Sequence, residues 1–278
     1  MGTEVRGYQR CVRCIMDTTD PEIGFDADGV CSHCRTYDAS FRATVEAAQR
    51  GDRVEAFRAV AARIKAVGAK SEYDCIVGVS GGVDSSYVLI KAKEFGLRPL
   101  AVHFDSGWNS ELAVSNIETL TSTLGVDLKT DVVDWKEMRD LQLSFFKAGV
   151  ANCDIPTDHA FPAVALRNAT AYDAKFILSG SNLATESVLP KAWGHNSADL
   201  RYLKAIQRRH GSVRLRTYPT LGTKSSGLTV RTPRRRSPSS AGVTTGASTT
   251  SRSSPASSRA TTCRSASATT SASRISRR

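Results

Sequence analysis

The stretch Ser80-Gly81-Gly82-Val83-Asp84-Ser85-Ser86 decides how this chain is read. It follows Asp74-Cys75-Ile76-Val77-Gly78-Val79, a short, almost wholly apolar run of the kind that forms a buried strand, and it opens a helical pattern from about Asp84 to Phe95. Two adjacent glycines let the backbone turn tightly and leave its N–H groups uncovered. Ser85 and Ser86 add hydroxyl donors at the positive end of the helix dipole, which makes the turn a site for a phosphate or pyrophosphate. It is not a Walker A loop, because no Lys follows the glycines, and its spacing is not the dinucleotide G-x-G-x-x-G.

Working outward, apolar strands alternate with helices. Pro99–Phe104 reads as a second buried strand ending at Asp105, followed by a helix from about Glu111 to Leu124. A strand over Leu128–Val133, a helix from about Trp135 to Phe146, another from about His159 to Tyr172, and a strand over Lys175–Leu178 complete the series. This alternation predicts an α/β fold with a doubly wound parallel sheet. Ligands of such sheets sit beyond the carboxyl ends of the strands, here Ser80, Asp105 and Ser179-Gly180. Upstream, Val54, Phe57, Ala61, Ile64 and Gly68 share one helical face, with Asp52 placed as N-cap of a helical segment within 41–69.

Cys11-x2-Cys14 and Cys31-x2-Cys34, sixteen residues apart, fit the spacing of a four-cysteine zinc site. Two short knuckles place four thiolates around one Zn²⁺ in a closed, structural site, and Asp28-Gly29 supplies the turn before Cys31. His33, between two ligands, reads as an exposed bystander. Cys75, inside an apolar strand, and Cys153 have weak claims as nucleophiles.

The net charge of +11 belongs to one end of the chain. Residues 223–278 hold ten Arg and one Lys and no Asp or Glu, so residues 1–222 are neutral and give no electrostatic reason to expect nucleic acid. Ser, Thr, Arg and Ala fill 44 of those 56 positions, a composition that predicts disorder. No run approaches the length of a membrane span and Met1–Arg10 has no signal-peptide core, so a soluble, cytoplasmic protein is expected. The expected organisation is a cysteine module over 1–40, a helical connector over 41–69, the α/β domain over 70–222 and the tail over 223–278.

The strand, the SGGVDSS turn and the helix together resemble the pyrophosphatase loop of the PP-loop ATP pyrophosphatases, the adenine nucleotide alpha-hydrolase-like enzymes. Further stretches narrow the resemblance: the cysteine region from Cys11 to Cys34, Phe104-Asp105-Ser106-Gly107-Trp108-Asn109-Ser110-Glu111, Asn152–His159, Ser179–Ser187 and Thr217-Tyr218-Pro219-Thr220-Leu221. Together they resemble the N-acetyl sugar amidotransferases (WbpG/PseA-like) of bacterial surface-polysaccharide and nonulosonic acid synthesis, over about residues 8–221. The resemblance implies ATP-dependent conversion of a sugar acetamido group to acetamidino, through an adenylated intermediate, with release of AMP and pyrophosphate. It implies an N-acetylated sugar nucleotide as substrate and a separate glutaminase subunit as the source of ammonia.

On this reading Ser80, Gly81, Gly82, Val83, Asp84, Ser85 and Ser86 bind the ATP phosphates, and Asp84 holds Mg²⁺. Val79, Phe104 and Asp105 flank adenosine, and Gly180 and Ser181 close the pocket. Asp158 opens a helix, either as its N-cap or as a catalytic or metal-facing carboxylate. Lys191 and Trp193 either meet the nucleotide or sugar, or stand as a loop lysine and a packing tryptophan. The rival readings are a PP-loop tRNA thiolase and a non-enzymatic zinc-knuckle RNA-binding module. The resemblance stops near Leu221, and the tail has the composition of a GC-rich gene read out of frame. Residues from about Gly222 are therefore expected to be a frameshift product, the alternative being a genuine disordered basic tail, and the chain is expected to bind ATP weakly with little or no turnover.

Overall fold

A computed structural model of the chain describes residues 7–221 and Arg264–Ser267. After the cysteine region come α1 (Ser32–Tyr37), a π-helical turn (Asp38–Arg42), α2 (Ala43–Gln49) and α3 (Val54–Gly68). The helical segment is broken between α2 and α3, where Gly51 takes φ +84°. Asp52 caps nothing; it pairs with Arg50 at 2.9 Å, and α3 starts after Arg53 without a side-chain cap.

The α/β part then runs β1 (Cys75–Gly78), α4 (Val83–Glu94), β2 (Pro99–Asp105), α5 (Glu111–Leu124), β3 (Leu128–Val132), α6 (Trp135–Ala148), α7 (Ile155–Ala171) and β4 (Phe176–Ser179). A short α8 (Leu183–Glu186), a 3-10 turn (Lys191–Trp193) and α9 (Leu200–His210) follow. All strand pairs are parallel. Ile76 and Val77 of β1 face Leu100 and Ala101 of β2 on one side and Ile177 and Leu178 of β4 on the other, and β3 pairs with the far edge of β2.

Side chains along β1 alternate between two cores, which is why the strand reads as continuously apolar. Cys75, Val77 and Val79 pack against Ile64 of α3, Val88 and Leu89 of α4 and Ile117 of α5. Ile76 faces the opposite layer, where Met138, Leu141 and Phe145 of α6 meet Ile155 and Val164 of α7 and Leu203 of α9. Downstream of α9 the chain folds back over α6, where Asp140 accepts the backbone N–H groups of Ser212 (2.9 Å) and Val213 (2.9 Å).

The strand order, β3-β2-β1-β4, fixes where a ligand can sit. From β1 the chain steps to β2 and β3 on one side, then crosses to β4 on the other, so neighbouring connections diverge between β1 and β4 and open a crevice at their carboxyl ends. One tail segment, β5 (Arg264–Ser267), pairs in parallel along β4. Main-chain pairing on an open sheet edge needs no apolar side chains, so a Ser/Arg segment can lie there. The expected disorder of the tail otherwise lies outside the described residues. Among the described residues, no helix is long and apolar enough to cross a membrane.

Candidate functional site

The Ser80–Ser86 turn sits at the mouth of that crevice. Gly81 has φ +77°, and a Cβ there would lie 2.3 Å from the carbonyl oxygen of Ala113, so the turn is pressed against the first turn of α5 in a backbone conformation that favours glycine. Asn116 of α5 donates to the Gly81 carbonyl at 3.1 Å. Inside the turn, Ser80 N–H donates to Ser85 Oγ (3.1 Å) and Ser86 Oγ donates to the Gly82 carbonyl (2.8 Å). Gly82 occupies the N-cap of α4 and supplies no side-chain cap. The first-turn N–H groups of Val83, Asp84 and Ser85 are thus left at the positive end of the helix for an anion. A groove of about 590 Å³ continues from Gly81, Gly82 and Val83 between α4 and α5.

From the other side of the switch point, Gly180 closes on the same turn. A Cβ at Gly180 would stand 2.8 Å from both the carbonyl carbon and oxygen of Asp84, so only glycine allows the end of β4 to seat on α4. Ser181 is exposed beside it, its hydroxyl 3.1 Å from that of Ser179. Asp84 is half-buried and keeps its carboxylate free among the described residues, as a Mg²⁺ ligand would require.

Val79 and Phe104 are both buried in the cores, so any contact they make with a nucleotide is through the main chain. Asp105 Oδ1 accepts the N–H of Gly107 and the side-chain amide of Asn109, both at 2.9 Å. Asn109 also donates to His103 Nε2 (3.2 Å), leaving Nδ1–H of that buried ring to donate to the Val79 carbonyl at 2.9 Å. This network ties the end of β2 to the end of β1. His103 and Asn109 were not anticipated, because their partners lie across strands and no local pattern signals them.

Asp158 is not an N-cap. α7 begins four residues earlier than expected, at Ile155, with Asp154 in the cap position and Pro156 in the first turn, where its missing N–H costs nothing. Pro162 in the same helix has no N–H to offer the Asp158 carbonyl. α7 runs antiparallel to the strands, so its first turns lie at the carboxyl end of the sheet. There the Phe161 ring fills the space that a side chain at Gly78 would take. Asp158 lies one turn before Phe161 and is exposed; desolvation, opposed by Asn152 and assisted by the charge of Asp154, raises its carboxyl above the usual range. His159 points the other way, fully buried. Cys75 is also buried, its thiol pushed up to about 12, which removes it as a nucleophile.

The four N-terminal cysteines converge. Their Sγ atoms all lie within 4.8 Å of one another, with Cys14–Cys31 at 3.6 Å and Cys11–Cys34 at 4.0 Å. A tetrahedral Zn²⁺ with bonds of ~2.3 Å has sulfur–sulfur edges of about 3.8 Å, so the donor set fits this ion. Backbone N–H groups of Arg13 (3.4 Å) and Cys31 (3.3 Å) donate to Cys11 Sγ. Burial alone would raise the Cys11 thiol, but these donors bring it down to about 6, while burial raises Cys14 and Cys34. His33 is no bystander: it is half-buried and lies 2.7 Å from the carboxylate of the buried Asp20.

The module rests on the segment that leaves β4. Arg13, Cys14, Met16, His33, Cys34 and Tyr37 share a cavity of about 200 Å³ with Ala184, Thr185, Ser187 and Val188, and Ser187 Oγ is buried with no hydrogen-bond partner among the described residues. Lys191 pairs with Glu22 of the module at 3.0 Å, and Trp193 is exposed.

No protein-family model matches the sequence, and no curated protein matches it. Solved structures similar to parts of the chain include NMN synthetase from Francisella tularensis, with 15% identity and a TM-score of 0.33, covering 44% of this chain and 53% of that one. Another is the NH3-dependent NAD synthetase from Campylobacter jejuni subsp. jejuni NCTC 11168, with 11% identity and a TM-score of 0.32, covering 54% of this chain and 69% of that one. A third is a predicted subunit of tRNA methyltransferase from Methanocaldococcus jannaschii, with 20% identity and a TM-score of 0.31, covering 49% and 64%. The chain thus spans about half the length of the NMN synthetase it resembles.

Proposed function

We propose that this chain is an ATP-dependent, AMP-forming amidotransferase that converts the acetamido group of an N-acetylated sugar nucleotide to acetamidino. The observation that supports the reading is the closure of Gly180 on the uncapped Ser80–Ser86 turn at the β1/β4 switch point, which leaves the first-turn N–H groups of α4 together with the carboxylate of Asp84.

The acetamido oxygen attacks the α-phosphorus of ATP, and pyrophosphate leaves with the electrons of the α–β bridging bond. The N–H groups of Val83, Asp84 and Ser85 and the hydroxyls around them take up the charge that grows on pyrophosphate. Asp84 would hold Mg²⁺, which would supply further charge neutralisation there. Ammonia, delivered by a separate glutaminase subunit, then adds to the activated carbon. AMP departs with the former amide oxygen, a proton is lost, and the amidine remains. Asp158, near the start of α7, is the carboxylate we assign to exchange a proton with the attacking nitrogen. The cysteine module holds Zn²⁺ as a structural ion.

The test is product analysis on the full chain with ATP, Mg²⁺, ammonium and UDP-N-acetylglucosamine as probe. AMP and pyrophosphate that depend on the sugar support the reading, at however low a turnover this chain reaches; ADP and phosphate overturn it.

A further inference from the structure

Two indoles stand half in water at the carboxyl edge of the sheet, and nothing in the reaction above employs them. Trp108 (57% exposed) follows β2, and Trp135 (43% exposed) opens α6 after β3. Their rings lie 5.1 Å apart at 71° to one another, edge against face. From this geometry we infer that Trp108 and Trp135 form the binding platform for the sugar ring of the acceptor. The inference rests on the reading above that the acceptor is an N-acetylated sugar.

The pair is built in, not left over. Gly107 has φ +81°, and a Cβ there would be 2.6 Å from Cε3 of Trp135, so the loop is shaped to lay its backbone against that indole. Asp105 Oδ1 pins the Gly107 N–H and the Asn109 amide. Both indoles adjoin capped helix starts: Trp108 lies two residues before Ser110, whose Oγ accepts the N–H of Ala113 at the head of α5, and Trp135 opens α6, where Asp134 accepts the N–H groups of Lys136 and Glu137. Large aromatic surface held rigidly in solvent at the ligand end of an α/β sheet marks a binding surface.

The shape selects the ligand. Two parallel rings would clamp a flat base, whereas an edge-to-face pair makes a corner. A pyranose presents an apolar C–H face to one wall of such a corner and its acetamido methyl to the other. The same loop is joined to the phosphate site, since Asn109 bonds to His103 and His103 to the Val79 carbonyl, one residue before Ser80. A sugar seated on the platform is therefore held in register with the strand end that carries the nucleotide loop.

Intrinsic fluorescence of the full chain tests this directly, because there are three tryptophans and only Trp193 lies outside the pair. Titration with UDP-N-acetylglucosamine is expected to change the emission, with UDP alone producing little. Trp108→Ala is expected to weaken the sugar nucleotide at least tenfold, while the affinity for ATP–Mg²⁺ stays within twofold. Trp135→Phe, which keeps an aromatic ring at the head of α6, is expected to lose a smaller factor. A change produced by ATP alone, or by UDP as strongly as by the sugar nucleotide, overturns the proposal, as does a response abolished in Trp193→Phe but kept in Trp108→Ala. The two readings fail separately. Sugar binding lost in Trp108→Ala without any AMP formation leaves the platform standing and sinks the reaction; sugar-dependent AMP with unchanged KM in Trp108→Ala does the reverse.

Discussion

Glu137 holds Tyr218 by its backbone: one carboxylate oxygen accepts the Tyr218 N–H at 2.8 Å, and the same carboxylate takes the N–H groups of Arg216 (2.9 Å) and Thr217 (3.1 Å). Three successive donors converge on one buried carboxylate, one turn before Asp140 binds Ser212 and Val213 in the same manner. The last described stretch of the body is thus fastened to α6 by anions, with Tyr218 also donating to the Pro156 carbonyl.

Glu137→Gln keeps the shape but replaces one acceptor oxygen with a donor that faces N–H groups. It should cost about 2–3 kcal/mol, the range of a charge-assisted bond together with an unsatisfied buried group. Urea denaturation should show a lower midpoint at unchanged slope.

His159 titrates against this clasp. The Leu221 N–H donates to Nε2 at 3.0 Å while Nδ1 lies 2.7 Å from the Ser197 carbonyl, so the ring is neutral, and burial depresses its pKa below the usual 6.5 against the help of Ser197. The unfolded chain then takes up the proton first as pH falls, and stability drops from about pH 6.5 downward until the folded ring also titrates. Thermal midpoints between pH 8 and pH 5 should fall with acid, and His159→Gln should flatten that slope.

At the nucleotide turn, Asp84→Asn is nearly isosteric and exposes no new surface. AMP and pyrophosphate formation should drop on the order of 10²-fold or more, with the unfolding midpoint unchanged. Isotope exchange between pyrophosphate and ATP gives the most direct readout.

Gly180→Ala should act through space. Its methyl would meet the Asp84 main chain at 2.8 Å, and overpacking of this kind costs roughly 1–3 kcal/mol. Affinity for ATP, measured by calorimetry, should fall more than overall stability does, since the displaced main chain carries the proposed anion donors.

The purified chain should carry one zinc and no iron. Cys14→Ser or Cys31→Ser should release the metal and loosen the cysteine region while the α/β core keeps its melting transition. Because thiols must lose protons to bind, metal retention should weaken as the pH is lowered. An iron–sulfur absorption band would move the assignment toward the thiolases.

What could be read in the sequence was what local spacing encodes. The parallel α/β alternation, the Ser80–Ser86 turn and the convergence of Cys11, Cys14, Cys31 and Cys34 all depend on residues close in the chain. Helix ends were harder: Pro156 was a start signal three residues ahead of the expected one, and Gly51 a break within the segment expected to be helical over 41–69. Contacts between distant segments left no trace at all. Nothing around His103 names Val79 as its partner, and nothing around Glu137 says that its carboxylate will be spent on backbone eighty residues away.

The cavity shared by the cysteine module and residues 184–188 has a thermodynamic corollary. Any free energy by which the metal steadies that segment, and through it the closing strand end at Gly180, is returned in equal measure when a ligand steadies the segment first. Occupancy of the crevice should accordingly tighten the hold on metal in competition with a chelator at equilibrium, and a metal-depleted chain should bind its ligand more weakly by the same factor. Reciprocity of this kind would make the affinity of the four cysteines for metal a reporter on a crevice that they do not line.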